Sequence, residues 1–455
     1  MKKCIFICVF NNDNYIKLLF LLLESIFIYG NCDNDTDILI YTSSHFRNII
    51  QFSHLYNDKI KFEINDTYNN VDLACKSRLD LFKLSSSIDY DTFLYLDTDI
   101  IIKNDINIIF NVAKDDVLYA LEEGTIDHTY DYWGCTLFGD EVNNYSDKSA
   151  FSSGILLFNN CEKIRDLFIR INEDIINRPN YFTCYDQPYI VYNAFKYDLY
   201  DNKKLNQFIV INEYNINTDK VIYHFAGGPG DYGHKFVKMH KFLSDLKDYS
   251  IHHYINKAKE YINEFLLPII QNSNELLEGN IFMIHNTTVY TNIFENKSKN
   301  ISNLVLNTNI KNVMEIGFNA GFSTLLMLLS NPYIKITCFD LCEHKYTLPC
   351  YTKLKETFGD RINLIGGDST KTLPLINETY DLIHIDGGHS TEIAESDIIN
   401  SFRLSKKGTI LIMDDYDFDN LHTLWDKYID LFKLQDLDIS TYNSPHHDIK
   451  YICYK

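Results

Sequence analysis

The chain has 455 residues, 45% hydrophobic and 23% charged, the balance of an ordinary folded protein of two or three domains. Its 42 Lys and Arg against 62 Asp and Glu leave a net charge of −20, which repels a phosphate backbone and argues against general nucleic-acid binding. Eleven scattered cysteines form no CxxC pair, so no zinc ribbon is expected, and a reducing, cytoplasmic compartment fits best; if the Asn- and Ile-rich composition reflects a viral genome, that is the host cytoplasm.

In chain order, residues 3–10 predict a first strand. Residues 15–29 are apolar, but Lys17 and Glu24 interrupt them and Asn11-Asn12-Asp13-Asn14 precedes them, so a buried helix is expected rather than a signal peptide or membrane span. Residues 38–42 predict a strand, 73–84 a helix, 93–102 one continuous strand, and 151–158 and 221–225 two more. From about 246 to 275 the pattern is helical and reads as a connector. The second half restarts with a strand at 312–316 and a helix at 321–329. Strands are then expected at 335–339, 362–365, 382–385, 409–413, 434–440 and 448–454. The fold class expected is α/β, two Rossmann-like domains over 1–245 and 276–455, each with a largely parallel sheet.

The apolar run 93–96 ends in Asp97-Thr-Asp99, and acids at such a strand end face the crevice where α/β sheets bind ligands. Two hard oxygen ligands can hold Mg²⁺ or Mn²⁺, with a diphosphate completing the shell. Val221-Ile-Tyr-His224-Phe-Ala-Gly227 brings a histidine to the end of another strand, where a neutral imidazole could be a third ligand.

With Ser153-Gly154 and Asp186-Gln187 between them, these stretches resemble the family 8, glycogenin-like glycosyltransferases of GT-A fold, over roughly residues 1–245. The resemblance implies that Asp97, Asp99 and His224 hold Mn²⁺ or Mg²⁺. It implies that Asn11, Asp13 and Tyr15 grip the nucleoside of a UDP-type nucleotide sugar, and that Arg78 meets its phosphates. Ser153, Gly154 and Gly227 would line the donor site, with Asp186 and Gln187 beside the anomeric carbon, and transfer would retain configuration. The family's Lys-Pro-Trp after HxxG is missing; Lys235 stands nearby at a different offset.

In the second half, Glu315-Ile-Gly317-Phe-Asn-Ala-Gly321 follows a strand and opens a helix, a turn whose glycines allow close backbone approach to a ligand. Asp340 ends the next strand, where an acid can hold ribose hydroxyls, and Asp368-Ser369 ends the third. This order resembles the class I S-adenosylmethionine-dependent methyltransferases, which implies cofactor contacts from Glu315, Gly317, Gly321, Asp340, Asp368 and Ser369. Ile385-Asp386-Gly-Gly-His389 and Asp414-Asp415 further resemble metal-dependent sugar and catechol O-methyltransferases. That resemblance implies Mg²⁺ on Asp386, Asp414 and Asp415, with His389 as general base.

The combined expectation is a bifunctional glycan-modifying enzyme with a glycan or glycoprotein acceptor, no nucleic-acid partner and no membrane span. The alternatives are a methyltransferase half acting on RNA or protein, or one half degenerate and only binding. The oligomeric state is not legible.

Overall fold

The computed structural model describes residues 1–453 except 54, 128, 181, 228–230, 308 and 438–440. It divides into two compact units, Met1–Leu246 and Lys247–Lys455, so the stretch expected as a connector belongs to the second unit. No helix among the described residues is long and apolar enough to cross a membrane.

The first unit contains β1 (Lys3–Val9), β2 (Thr36–Thr42), β3 (Ile60–Ile64), β4 (Thr92–Leu96), β5 (Ile100–Ile102), β6 (Leu118–Thr125), β7 (Ser149–Asn159), β8 (Tyr200–Asp201), β9 (Ile209–Ile211) and β10 (Ile222–His224). Seven of them form a mixed sheet in the order β3-β2-β1-β4-β7-β6-β8, and three form a small sheet in the order β5-β10-β9. The first four strands of the large sheet are parallel, and β7 runs antiparallel to both β4 and β6. The strand expected over 93–102 is thus two strands in two sheets. The chain leaves β4 at Asp97 and enters the small sheet at Ile100, which fixes Asp97-Thr98-Asp99 in the step between them.

The apolar segment forms α1 (Asp13–Tyr29), whose N-terminus is capped by Asn12 accepting from the Asn14 N–H at 2.9 Å. Its Leu19, Leu22, Leu23 and Ile26 belong to the core on one side, while Leu18 and Leu21 pack with Phe225, Phe242 and Leu246 on the other. Burial on both sides accounts for a composition that looks membrane-like. The helix expected over 73–84 is α-helical only at Val71–Lys76 and tightens to a 3₁₀ segment over Ser77–Lys83, which carries Arg78 inward.

The second unit contains β11 (Asn312–Ile316), β12 (Lys335–Asp340), β13 (Ile362–Gly366), β14 (Tyr380–Ile385), β15 (Ser405–Asp414), β16 (Gln435–Asp436) and β17 (His447–Tyr451). Their order is β13-β12-β11-β14-β15-β17-β16, parallel except for β17, which is antiparallel to both its neighbours. Of the strand expected at 434–440 only β16 forms, with 438–440 outside the described residues; residue 454 of the last expected strand also lies outside them.

In both units the strand order reverses direction between the first strand and its later parallel neighbour, β1 beside β4 and β11 beside β14. A crevice opens there beyond the carboxyl ends. At the second crevice Gly317 has φ +94°, and a Cβ on it would lie 1.8 Å from the Asp386 carbonyl oxygen. The glycine is therefore required by the loop after β14 pressing on the turn after β11, a packing reason that stands beside the cofactor approach expected from sequence. Gly317→Ala should lower the unfolding free energy by at least about 1–3 kcal/mol, the range for an L-residue held in a sparsely populated backbone region. A thermal unfolding transition of the second unit unchanged from wild type would contradict this close approach.

Candidate active sites

The first crevice is a cavity of about 480 Å³. Asn11, Tyr15, Arg78, Asp97, Asp99, Ser153, Gly154, Asp186, Gln187, His224 and Gly227 all line it, from six separate stretches of chain. Asp13 does not: its side chain is exposed, with His45 Nε2 3.8 Å away. Lys235, on α2 (Tyr232–Tyr261), lines the cavity despite its shifted place in sequence.

Arg78 is the hub of the cavity floor. It is 9% exposed, its Nε lies 3.0 Å from Asp186 Oδ2, and its Nη1 lies 3.4 Å from Asp97 Oδ1 and donates to the Ser153 carbonyl at 2.6 Å. Its guanidinium stacks over Tyr95, whose hydroxyl donates to Asp97 Oδ1 at 2.5 Å. Burial pushes the Asp186 carboxyl up to about 6 against the pull of Arg78. Gln187 is held at both ends of its amide: Oε1 accepts from the Ser153 N–H at 2.9 Å and Nε2 donates to the Tyr132 carbonyl at 3.1 Å.

Asp97, Asp99 and His224 offer ligand atoms within 4.8 Å of one another. His224 Nε2 lies 3.4 Å from Asp99 Oδ1, and Lys235 Nζ donates to Asp99 Oδ2 at 2.5 Å. Burial disfavours the charged Asp99, but Lys235 and His224 hold it well below the usual carboxylate range. Asp99 Oδ1 is buried and forms no hydrogen bond of good geometry, its nearest partner being His224 Nε2 at 3.4 Å, so a cation placed between Asp97, Asp99 and His224 would find ligand atoms there. Gly154 makes room for this set. A Cβ there would meet His224 Cε1 at 2.7 Å and Asp97 Oδ2 at 2.9 Å.

The second crevice is a cavity of about 930 Å³ lined by Gly317, Asp340, Asp368, Ser369, Asp386, His389 and Asp415, among others. Asp340 Oδ2 accepts the backbone N–H groups of Phe318 and Asn319 at 2.9 and 2.7 Å, stapling the glycine turn to the end of β12. Asp368 caps the short helix behind it through the Thr370 N–H at 3.0 Å. His389 Nε2 lies 2.8 Å from Asp415 Oδ2, and that hydrogen bond raises the imidazole's pKa above the usual histidine value.

Three expected roles are corrected here. Glu315 does not reach the cavity: it is fully buried, accepting from Thr324 Oγ1 and paired with His384 Nδ1 at 3.0 Å. Gly321 does not line it either, and packs where a Cβ would strike Phe318 and Leu354. Asp386, Asp414 and Asp415 do not share one open metal site, because Asp415 is engaged by His389 and Asp414 is buried; the cluster with ligand spacing is His384, Asp386 and Asp414.

That cluster is closed by protein cations. Asp414 Oδ2 takes both Lys297 Nζ at 2.6 Å and His384 Nε2 at 3.1 Å, and its Oδ1 accepts the Asp415 N–H at 2.9 Å. His384 sits between two carboxylates with both ring nitrogens engaged, and although burial opposes its charge they raise its pKa to about 10. This donor set does not fit a divalent ion. Lys297 and His384 were not singled out from sequence. The register pairs Glu315 on β11 with His384 on β14, so two polar residues meet across otherwise apolar strands, a signal that the sequence did contain.

Residues 314–416 match a family model described as a methyltransferase domain. None of the curated proteins compared matches the chain. Among solved structures, the chain is similar to the bifunctional glycosyltransferase WbbM in its apo form, at 15% identity over 52% of this chain and 49% of that one, TM-score 0.37. It therefore spans about half the length of WbbM. It is also similar to a structure described as a putative caffeoyl-CoA O-methyltransferase from Staphylococcus aureus (18% identity, 33% of this chain, 80% of that one, TM-score 0.29) and to CalS11, a TDP-rhamnose 3'-O-methyltransferase of calicheamicin biosynthesis (18%, 35%, 78%, 0.28).

Removing Arg78 would strand two carboxylates, and breaking such a buried pair typically costs about 3–5 kcal/mol. Arg78→Met should accordingly lower the denaturant midpoint of the first unit and leave that of the second in place; a wild-type first transition would show that Arg78 is not the hub. The match over residues 314–416, on a parallel sheet with its crevice at the reversal of strand order, makes the second unit the bearer of a methyltransferase domain.

Proposed function

We propose that the chain is a bifunctional glycan-modifying enzyme. In this reading the first unit transfers a sugar, with retention, from a UDP-type nucleotide sugar, and the second methylates a hydroxyl of a glycan with S-adenosylmethionine. The observation that carries the first half is the ligand spacing of Asp97, Asp99 and His224 in a cavity at the strand-order reversal. A divalent ion held there would supply Lewis-acid stabilisation for a departing diphosphate. Lys235 and Arg78 bring the chain's own positive charge to the same cavity. An acidic protein needs this to accept an anionic donor. Asp186 and Gln187, each fixed from behind, would face the sugar.

In the second unit the cavity wall is rich in acids, including Asp340, Glu343, Asp368, Asp386 and Asp417, which suits a cofactor carrying a sulfonium and an ammonium. S-adenosylmethionine, when bound, supplies the methyl group. With Nε2 of His389 donating to Asp415, Nδ1 keeps its lone pair and can take the proton of the acceptor hydroxyl. The acidic cavity and the net charge of −20 favour a neutral glycan acceptor over RNA.

Incubation with a panel of nucleotide sugars and Mn²⁺ should release nucleotide, and Asp99→Asn should cut that release by ~10²-fold or more, the scale of a main electrostatic stabiliser. Methyl transfer should be untouched by this change. Full sugar turnover in Asp99→Asn would defeat the first half. With Asp186 charged in its pair with Arg78, sugar transfer should be present above pH about 6 and fall as the pH drops through that value.

For the second half, His389→Ala should lower kcat for methyl transfer by ~10²–10⁴ with cofactor binding retained. His389 must be neutral to act, so the rate should rise with pH through a midpoint above the ordinary value of about 6.5. Asp415→Asn should move that midpoint down. A pH profile that is identical in Asp415→Asn would remove His389 as the base.

A further inference from the structure

The two crevices hold similar acids and neutralise them differently. In the first, Asp99 has Lys235 on Oδ2 at 2.5 Å, while its Oδ1 forms no hydrogen bond and has only His224 Nε2, 3.4 Å away. In the second, Asp414 carries three donors, and no atom of Glu315, His384 or Asp414 is unpartnered among the described residues. Lys297 lies on α3 (Glu295–Leu306), is 4% exposed, and lines the cavity beside Asp386. A lysine is seldom buried this far unless paired, because desolvating an ammonium costs several kcal/mol. Its partner is the same Asp414 that the sequence pattern offers to a metal.

We propose that the Lys297 ammonium is the resident cation of this acidic cluster, standing where a divalent ion would otherwise be needed, and that the second unit transfers its methyl group without a divalent metal. This rests on the methyltransferase reading of the second unit. Glu315, His384, Asp414 and Lys297 form one alternating chain of charge from β11 through β14 and β15 to α3, with His384 shared between the two carboxylates. A metal ion would have to displace Lys297 from Asp414 and break the contacts His384 makes to Glu315 and Asp414 to find ligands. Asp386 is the carboxylate of the cluster that faces the cavity without an ion-pair partner of its own among the described residues.

The test is a Mn²⁺ titration of the full-length chain, reading bound ions per chain by calorimetry and free Mn²⁺ by electron paramagnetic resonance. S-adenosylmethionine binding is measured in parallel. The wild type should bind one ion, Asp99→Asn none, and Lys297→Ala one more than wild type, at the opened cluster; Lys297→Arg should match wild type. Methyl transfer by the wild type should survive EDTA. A second ion in the wild type that Asp386→Asn removes would overturn the proposal, and that comparison stands even if Lys297→Ala does not fold. A folded Lys297→Ala that gains no ion would also overturn it, since the cluster would then be no cation site. Failure of the underlying methyltransferase reading looks different: no variant, nor the wild type, would bind S-adenosylmethionine.

Discussion

Carboxylates gathered in a half-buried crevice must be neutralised, and both units are organised around that constraint. Parallel strands that end side by side place their terminal acids within a few ångströms of one another and away from water. Left alone, such acids would repel or take up protons. Each unit meets the problem with side chains from other elements: Arg78, His224 and Lys235 in the first, His384 and Lys297 in the second.

The two solutions differ in what they leave open. In the first unit Arg78 and Lys235 line the cavity beside the acids, and Asp99 Oδ1 keeps only the longer His224 contact at 3.4 Å. Gly154 keeps the space in front of Asp97 and His224 clear. In the second unit the network closes on itself, and Asp386, Asp415 and His389 stand at the cavity wall.

Much of this was legible in the chain. The alternation of apolar runs with helical spacing announces two α/β units, and acids or glycines directly after strands mark the crevices, because the strand ends are where a parallel sheet exposes its ligand side. What was not legible depends on tertiary approach. Residues 93–102 read as one strand because nothing local tells the chain to change sheets at Asp97. Asp13 sits in the right stretch but turns outward at the first turn of α1. Glu315 has the motif's position yet is consumed by Thr324 and His384. Lys297 lies far in sequence from the acids it neutralises, and only the packing of its helix brings it there. The short strands β3, β8 and β9 have too little pattern to stand out.

The claim on which the account turns is that one acidic crevice is open to a divalent ion and the other is closed by lysine. Anomalous diffraction at the manganese edge, from crystals of the full chain grown with Mn²⁺, tests it most directly. One peak per chain is expected, among Asp97, Asp99 and His224, with Lys297 still on Asp414. A peak between Asp386 and Asp414 with Lys297 swung away would contradict it.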